Sequence, residues 1–379
     1  MLNAKRGESR SESPSHEMLQ VHTQDNIVGQ SNRRKPSAAL TVIRKAARLA
    51  AWTYLIAIVS IWILLGTCGD RWWFATVLLY APRWLYGIPL AALIPAAACA
   101  NRRSLGPLML GGLIFLVPIM GLRLPLRQIG AANGPSLRVL TCNVQGGAIA
   151  QNALMDLVRA EQADLVALQE CSAEVQFEFP PEWQVLRKGQ LLVASRFPLR
   201  DVQHSVRAHP HSPWPPVNAL RCLVAHPVGD VGLCCVHLQT PRPGLEKVLD
   251  RQTAVNPARS WMLREETEYR LWESEELEAW IADFDGPTII AGDFNMPVDS
   301  AIYRSTWSHW TNAFNTSGFG FGYTKNSAMR GWSYGSRIDH ILFDSGFFRC
   351  RSCWIAQDVG SDHTPLVADL VLAKARDSF

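Results

Sequence analysis

The rhythm of apolar residues divides the chain in two. From Ala46 to Gly66 the run AARLAAWTYLIAIVSIWILLG carries a single charge, Arg48, near its start, and about 20 residues at ~1.5 Å rise suffice to cross a bilayer core. This predicts a transmembrane helix. A second apolar stretch from Trp72 to Ala100 is broken by Pro82 and Arg83. It predicts a span over Trp84 to Ala100, with Trp72 to Tyr80 at the interface or entering the bilayer partway. A third apolar run covers Leu105 to Leu122. The Pro and Gly residues between Arg123 and Pro135 then read as a linker.

Beyond the linker the pattern changes. Short apolar runs end repeatedly in a polar residue: LRVLTCN, ADLVALQE, GLCCVHLQ, PTIIAGDFN, RIDHILF and SDHTPLVADL. Runs of this length rich in Val, Ile and Leu read as buried strands. Asn152 to Ala160 and Leu263 to Phe284 show helical spacing instead. Strands mixed with a few helices imply two packed sheets with helices outside. Before the first span, the Ser-, Gln- and Arg-rich start cannot bury enough apolar surface to offset its ordering entropy, and reads as a disordered tail.

Charge is as uneven as hydrophobicity. Residues 1–135 hold 15 Lys and Arg against 5 Asp and Glu, while residues 136–379 hold 22 against 28. The first part is net +10 and the second net −6, which disfavours a general polyanion binder, since such proteins neutralise phosphates with clustered cations. A local basic groove stays open. Seven of the nine cysteines lie in the C-terminal part, with no zinc-site spacing; the Cys350/Cys353 pair follows a strand-like run and reads as chance or a single surface disulfide.

Polar groups at the ends of buried strands gather along one sheet edge and can build a site on rigid elements. That edge would carry Asn143, Glu170, His237, Asp293, Asn295, Asp339, Asp362 and His363. Carboxylate and amide oxygens suit a hard cation such as Mg²⁺, and imidazoles beside carboxylates can move protons or stabilise charge on a phosphoryl group. Strand alternation points His340 away from the face used by Asp339, which gives it a structural role. His204, His209, His211 and His226 fit no motif. The stretch Pro241 to Met262, with Arg242, Lys247, Arg251 and Arg259, reads as a loop beside the site that could grip an anionic substrate.

In this order, the motifs TCNVQG, LVALQE, VASRFPL, VHLQTPR, GDFNMP, RIDHILF and SDHTPLVADL resemble those of the endonuclease/exonuclease/phosphatase superfamily. The resemblance covers Leu137 to Leu370. It implies a four-layer α/β sandwich and in-line attack of water on a phosphoester assisted by Mg²⁺ or Mn²⁺. Carried over by motif, Glu170 would be the principal metal ligand with Asn143 beside it, and Asp362 would support the metal or the site network. Asp293 would orient or deprotonate the water, and Asn295 would bind a phosphate oxygen. His363, oriented by Asp339, would contact the scissile phosphate, and His237 falls where nucleases and sphingomyelinases of the superfamily carry a histidine.

The expected organisation is a basic tail over 1–45, about three transmembrane helices over 46–122, a linker over 123–136 and a catalytic domain over 137–371. Basic residues before the first span (Arg33, Arg34, Lys35, Arg44, Lys45) put the N-terminus in the cytoplasm. Three spans then place the catalytic domain on the extracytoplasmic side of a multi-pass protein, with the lipid bilayer and a phosphoester as partners. The substrate stays open between a lipid head group, nucleic acid and a small metabolite. A membrane-tethered binding module with the same fold and no catalysis is the alternative reading.

Overall fold

The computed structural model describes residues 37–125, 134–147, 149–207, 216–250, 261–329 and 331–372. Residues 1–36 of the tail read over 1–45, much of the linker, and His209, His211, Arg251 and Arg259 lie outside them.

Three helical stretches are long and apolar enough to cross a membrane: 38–68, 83–100 and 102–119. Helix α1 (Ala38–Cys68) begins inside the segment read as tail, capped by the Ser37 hydroxyl on the Leu40 amide. Short α2 (Trp73–Tyr80) holds the residues expected at an interface. The second stretch runs through a 3₁₀ turn into α3 (Ile88–Ala100), and the third is α4 (Leu105–Ile114) with a π-helical end. The helices alternate direction. At one end, Arg44 Nε donates to the Ala100 carbonyl (3.1 Å), and at the other, Arg304 donates to the carbonyl of Gly66. Arg44, Lys45, Arg102 and Arg103 therefore gather at the end away from the two sheets. Ala51, Ile58, Leu108 and Ile119 are buried between the helices, whereas Leu49, Ile56, Leu110 and Leu113 face outward.

The remainder is a sandwich of two six-stranded sheets. One sheet has the order β13 (Phe348–Ile355), β14 (Leu366–Leu372), β1 (Ser136–Asn143), β2 (Leu165–Gln169), β4 (Leu191–Ser195) and β3 (Gln184–Lys188). The other has β5 (Leu199–Val206), β6 (Val217–His226), β7 (Gly229–His237), β8 (Thr288–Asp293), β12 (Asp339–Phe343) and β9 (Thr311–Asn312). Period-two alternation sorts the strand residues. Val139, Ala167, Leu233 and Ile289 fill the space between the sheets. Leu140 and Leu168 turn out to α5 (Gln151–Ala160), while Cys234 and Ile290 turn out to α7 (Trp261–Ala282). This is the expected four-layer α/β arrangement. A hairpin of β10 (Lys325–Met329) and β11 (Trp332–Ser336) stands apart and brings Trp332 within 5.7 Å of Trp84.

Gly292 shows why β8 needs its glycine: with φ +154°, an added Cβ would lie 2.0 Å from the Val236 carbonyl oxygen. Only the missing side chain lets β7 and β8 run parallel this close to their ends. Cys350 and Cys353 are free thiols on β13, without the disulfide considered above.

Candidate active site

The parallel pairs β1/β2 and β7/β8 end side by side, with Asn143 opposite Gln169 and His237 opposite Asp293. Antiparallel β12 starts at the same edge, with Asp339 opposite Asp293. Topology alone thus brings residues scattered between positions 143 and 363 to one place. Asn143 is the joint between the sheets. Its Nδ2 donates to Glu170 Oε1 (2.8 Å) on its own sheet and to Asp293 Oδ2 (3.0 Å) on the other. Its Oδ1 accepts from the Gln145 amide (3.0 Å).

Asp293 is the hub. Its Oδ1 accepts from the Asn295 amide (2.8 Å), and its Oδ2 faces both His237 Nε2 (3.8 Å) and His363 Nε2 (3.7 Å). His237 Nε2 also lies 3.6 Å from Glu170. His363 Nδ1 is bonded to Asp339 Oδ2 (2.8 Å). Glu170 (φ 55°) and Asn295 (φ 51°) both hold the left-handed backbone conformation. That costs a non-glycine residue on the order of 1 kcal/mol, least for Asn, and turns each side chain out of the line of its strand.

Protonation follows from burial and neighbours. Burial, then the charge of Asp339, pushes the Asp293 carboxyl above the usual carboxylate range. Burial opposes charge on His363, but Asp339 and Asp293 outweigh it and raise its pKa to about 9. His237, beside its buried surroundings and the charges of Arg207 and His363, is lowered to about 3 and is neutral. One imidazole is thus charged and the other is not.

The donor set fits a hard divalent cation. Asp339 Oδ1 and Asp362 Oδ1 are buried without a hydrogen-bond partner among the described residues, an arrangement that is costly for a carboxylate unless a cation satisfies it. Ligand atoms of Asp293, Asp339 and His363 lie within 4.8 Å of one another. The tightest grouping therefore differs from the Asn143, Glu170 and Asp362 set. Asp362 sits at the rim, where its other oxygen pairs with Lys325.

Lys325 is a site residue that the sequence reading missed. It is 8% exposed and its backbone bridges that of His363, so the β10 end is stitched to the SDH loop. No apolar rhythm surrounds it in FGYTKNS, and only the fold reveals its place. A second layer was missed as well. From α7, Glu273 Oε2 accepts from the Gln239 amide (2.7 Å) and its Oε1 pairs with buried Arg207 (2.6 Å), which donates to the His237 carbonyl. Arg270 on the same helix, 1% exposed, donates to the carbonyls of Gln239 (3.1 Å) and Asn295 (3.2 Å) and to the Tyr80 hydroxyl (2.8 Å). Its countercharge is Asp70 (3.5 Å), between α1 and α2. Asp70 also accepts from the Ser300 hydroxyl and the Ala301 amide. Arg83 closes the contact with a two-pronged bond to Asp299 (2.8 and 3.0 Å).

His340 has the structural role expected. It is buried, with Nε2 on the Met296 carbonyl (2.9 Å) and Nδ1 on Asn312 Nδ2 (3.3 Å). His204 and His226 lie on β5 and β6. The stretch read as a loop from Pro241 instead begins as a helix, α6 (Arg242–Leu249), which carries Arg242 and Lys247 and has a proline in its first turn, where the missing N–H costs no hydrogen bond.

Fold and cluster together define a four-layer α/β sandwich with an acidic, imidazole-bearing site at its strand ends. The chain belongs to the endonuclease/exonuclease/phosphatase family, whose profile matches residues 140–363. Among solved structures it is similar to an endonuclease/exonuclease/phosphatase from Beutenbergia cavernae, with 18% identity over 64% of this chain and 73% of that one, TM-score 0.44. It is also similar to the human Nocturnin catalytic domain with bound sulfate, with 17% identity over 64% and 96%, TM-score 0.45. An AP endonuclease from Archaeoglobus fulgidus is a third such structure, with 17% identity over 61% and 98%, TM-score 0.45. No curated protein matches the chain.

Proposed function

We propose that the chain is a membrane-anchored, divalent-metal-dependent phosphoesterase that cleaves a phosphodiester or phosphomonoester by in-line attack of water. The observation that carries this reading is the Asn143 amide, which joins Glu170 to Asp293 across the two sheets beneath two imidazoles. Mg²⁺ or Mn²⁺, held by Glu170 and Asn143 with Asp362 at the rim, would neutralise charge on the phosphate oxygens.

The chain supplies the rest. Asp293 is fixed by Asn143 on one oxygen and by the Asn295 amide on the other, so it can orient the attacking water in one direction. Asn295 spends one amide hydrogen on the Leu238 carbonyl (2.9 Å) and keeps its second for a phosphate oxygen. Asp339 holds His363 by Nδ1, which leaves Nε2 for the phosphoryl group. Neutral His237 can accept a hydrogen bond from water or substrate.

The test is hydrolysis of bis(p-nitrophenyl) phosphate by the full chain in detergent, with Mg²⁺ or with chelator. Turnover should require the metal, and Glu170→Gln should lower kcat by at least ~10²-fold. Turnover unchanged by chelator and by Glu170→Gln would remove the reading, and no turnover with either metal would leave a binding module. Within the hydrolase reading, apolar helices against the domain favour a lipid or extracytoplasmic phosphoester, and the net −6 of the C-terminal part disfavours long nucleic acid.

Three spans with the basic ends opposite the sheets support a cytoplasmic N-terminus and an extracytoplasmic domain. Protease added to intact cells should then digest the domain, whereas protection until lysis would reverse the orientation.

A further inference from the structure

Where the helical region meets the sandwich, a cavity of about 560 Å³ opens between them, away from the strand-end cluster. The helices contribute an apolar wall that includes Trp62, Val117 and Met120. Four arginines also line the cavity, Arg83, Arg123, Arg304 and Arg337, together with Asp299. Arg83 already occupies that carboxylate, and Arg304 is bonded to the Gly66 carbonyl.

Arg123 and Arg337 are left with no acidic partner among the described residues. Arg337 is 6% exposed, with one nitrogen on Asn315 Oδ1 (2.7 Å) and its guanidinium over the Phe314 ring. Its Nη1 and the Nε of Arg123 are buried donors without an acceptor among the described residues. The two charges also repel: burial first, then Arg123, lowers the Arg337 pKa to about 10. Proteins seldom bury guanidinium donors unpaired, because the desolvation is not recovered. Backbone bonds in both directions between Arg123 and Gly320 (2.8 and 3.0 Å) fix the approach, so Arg123 is not there by loose packing.

We propose that Arg123 and Arg337 form a binding site for a phosphate-type oxyanion, separate from the catalytic cluster. An oxyanion presents several acceptors to converging guanidinium donors, the pairing at which arginine excels. It would place a countercharge beside both guanidinium groups and remove the repulsion in one step. The apolar wall suits the glycerol and chains of a phospholipid, while the volume also admits a free phosphate. Because Arg337 lies two residues before Asp339, an anion here would press on the strand that orients His363.

The test uses the full chain in phosphatidylcholine nanodiscs with chelator present, and reads the thermal midpoint. In one arm inorganic phosphate is titrated; in the other, phosphatidic acid replaces part of the lipid. The midpoint should rise in at least one arm, because a ligand that binds only the folded state stabilises it. A rise with inorganic phosphate assigns the site to the free anion, and a rise with phosphatidic acid alone assigns it to a lipid head group. Arg123→Gln should raise the half-saturating concentration about tenfold or more, whereas Glu170→Gln should leave the response intact. No rise in either arm, a rise unchanged by Arg123→Gln, or one abolished by Glu170→Gln overturns the proposal. Arg337→Gln should repeat the Arg123→Gln result; if it does not fold, Arg123→Gln alone decides.

Discussion

Two of the contacts between the helices and the sandwich treat buried arginine in opposite ways. At the first, Arg270 is enclosed with Asp70, the Tyr80 hydroxyl and two carbonyls. At the second, Arg337 is enclosed with another arginine, and donors are left over. The lesson is that burial by itself does not say what a charge is for. A guanidinium whose donors are satisfied locks two parts together, and one whose donors are left over awaits a ligand.

The contrast can be broken from either side. Asp70→Ala strands a buried cation, and full-chain unfolding in detergent should show a loss of about 3–5 kcal/mol. A loss within error of zero would mean that the first contact is no lock. Asp70→Leu combined with Arg270→Met replaces the pair by apolar groups, which is often nearly neutral for stability. Stability should therefore return, but kcat on bis(p-nitrophenyl) phosphate should stay down about tenfold, because Asn295 has lost its hold. Full recovery of kcat would limit Arg270 to a structural role.

Acid probes the ground between the contacts, where Asn312 lines the cavity and bonds His340. Burial, then Arg337, lowers the His340 pKa to about 3. The unfolded chain takes up this proton near pH 6.5 and the folded chain does not. His340 thus supports stability fully above about pH 6.5 and loses about 1.4 kcal/mol per pH unit as pH falls towards 3. His340→Phe should flatten that slope in acid unfolding titrations. The smallest effect is expected at the second contact. Without added anion, Arg337→Met removes an unfavourable charge along with one hydrogen bond and a ring contact, so stability should change by less than about 1 kcal/mol.

Much of this was legible in the sequence, for reasons that differ by element. Strand ends could be read because apolar runs stop at a polar residue, and Asn143, Glu170, His237, Asp293, Asn295, Asp339 and His363 do converge. The three apolar helices followed from length and hydropathy. Their docking did not, since Asp70 and Arg270 lie 200 residues apart and Arg270 is set among the glutamates of Glu265 to Glu278. A signal existed: Arg270 falls midway between Leu263 and Leu277, at heptad spacing on the buried face. Arg337 was hidden inside RIDH, where Asp339 drew the attention.

The thiols of the sandwich have a practical consequence. Cys142, Cys171, Cys222, Cys234, Cys235 and Cys353 are enclosed, and burial pushes Cys171 and Cys222 up to about 12; half-covered Cys350 is raised equally far by burial. Such sulfurs resist alkylation. Replacing Cys68 and Cys99 therefore leaves a background quiet enough for a maleimide probe placed anywhere on the surface.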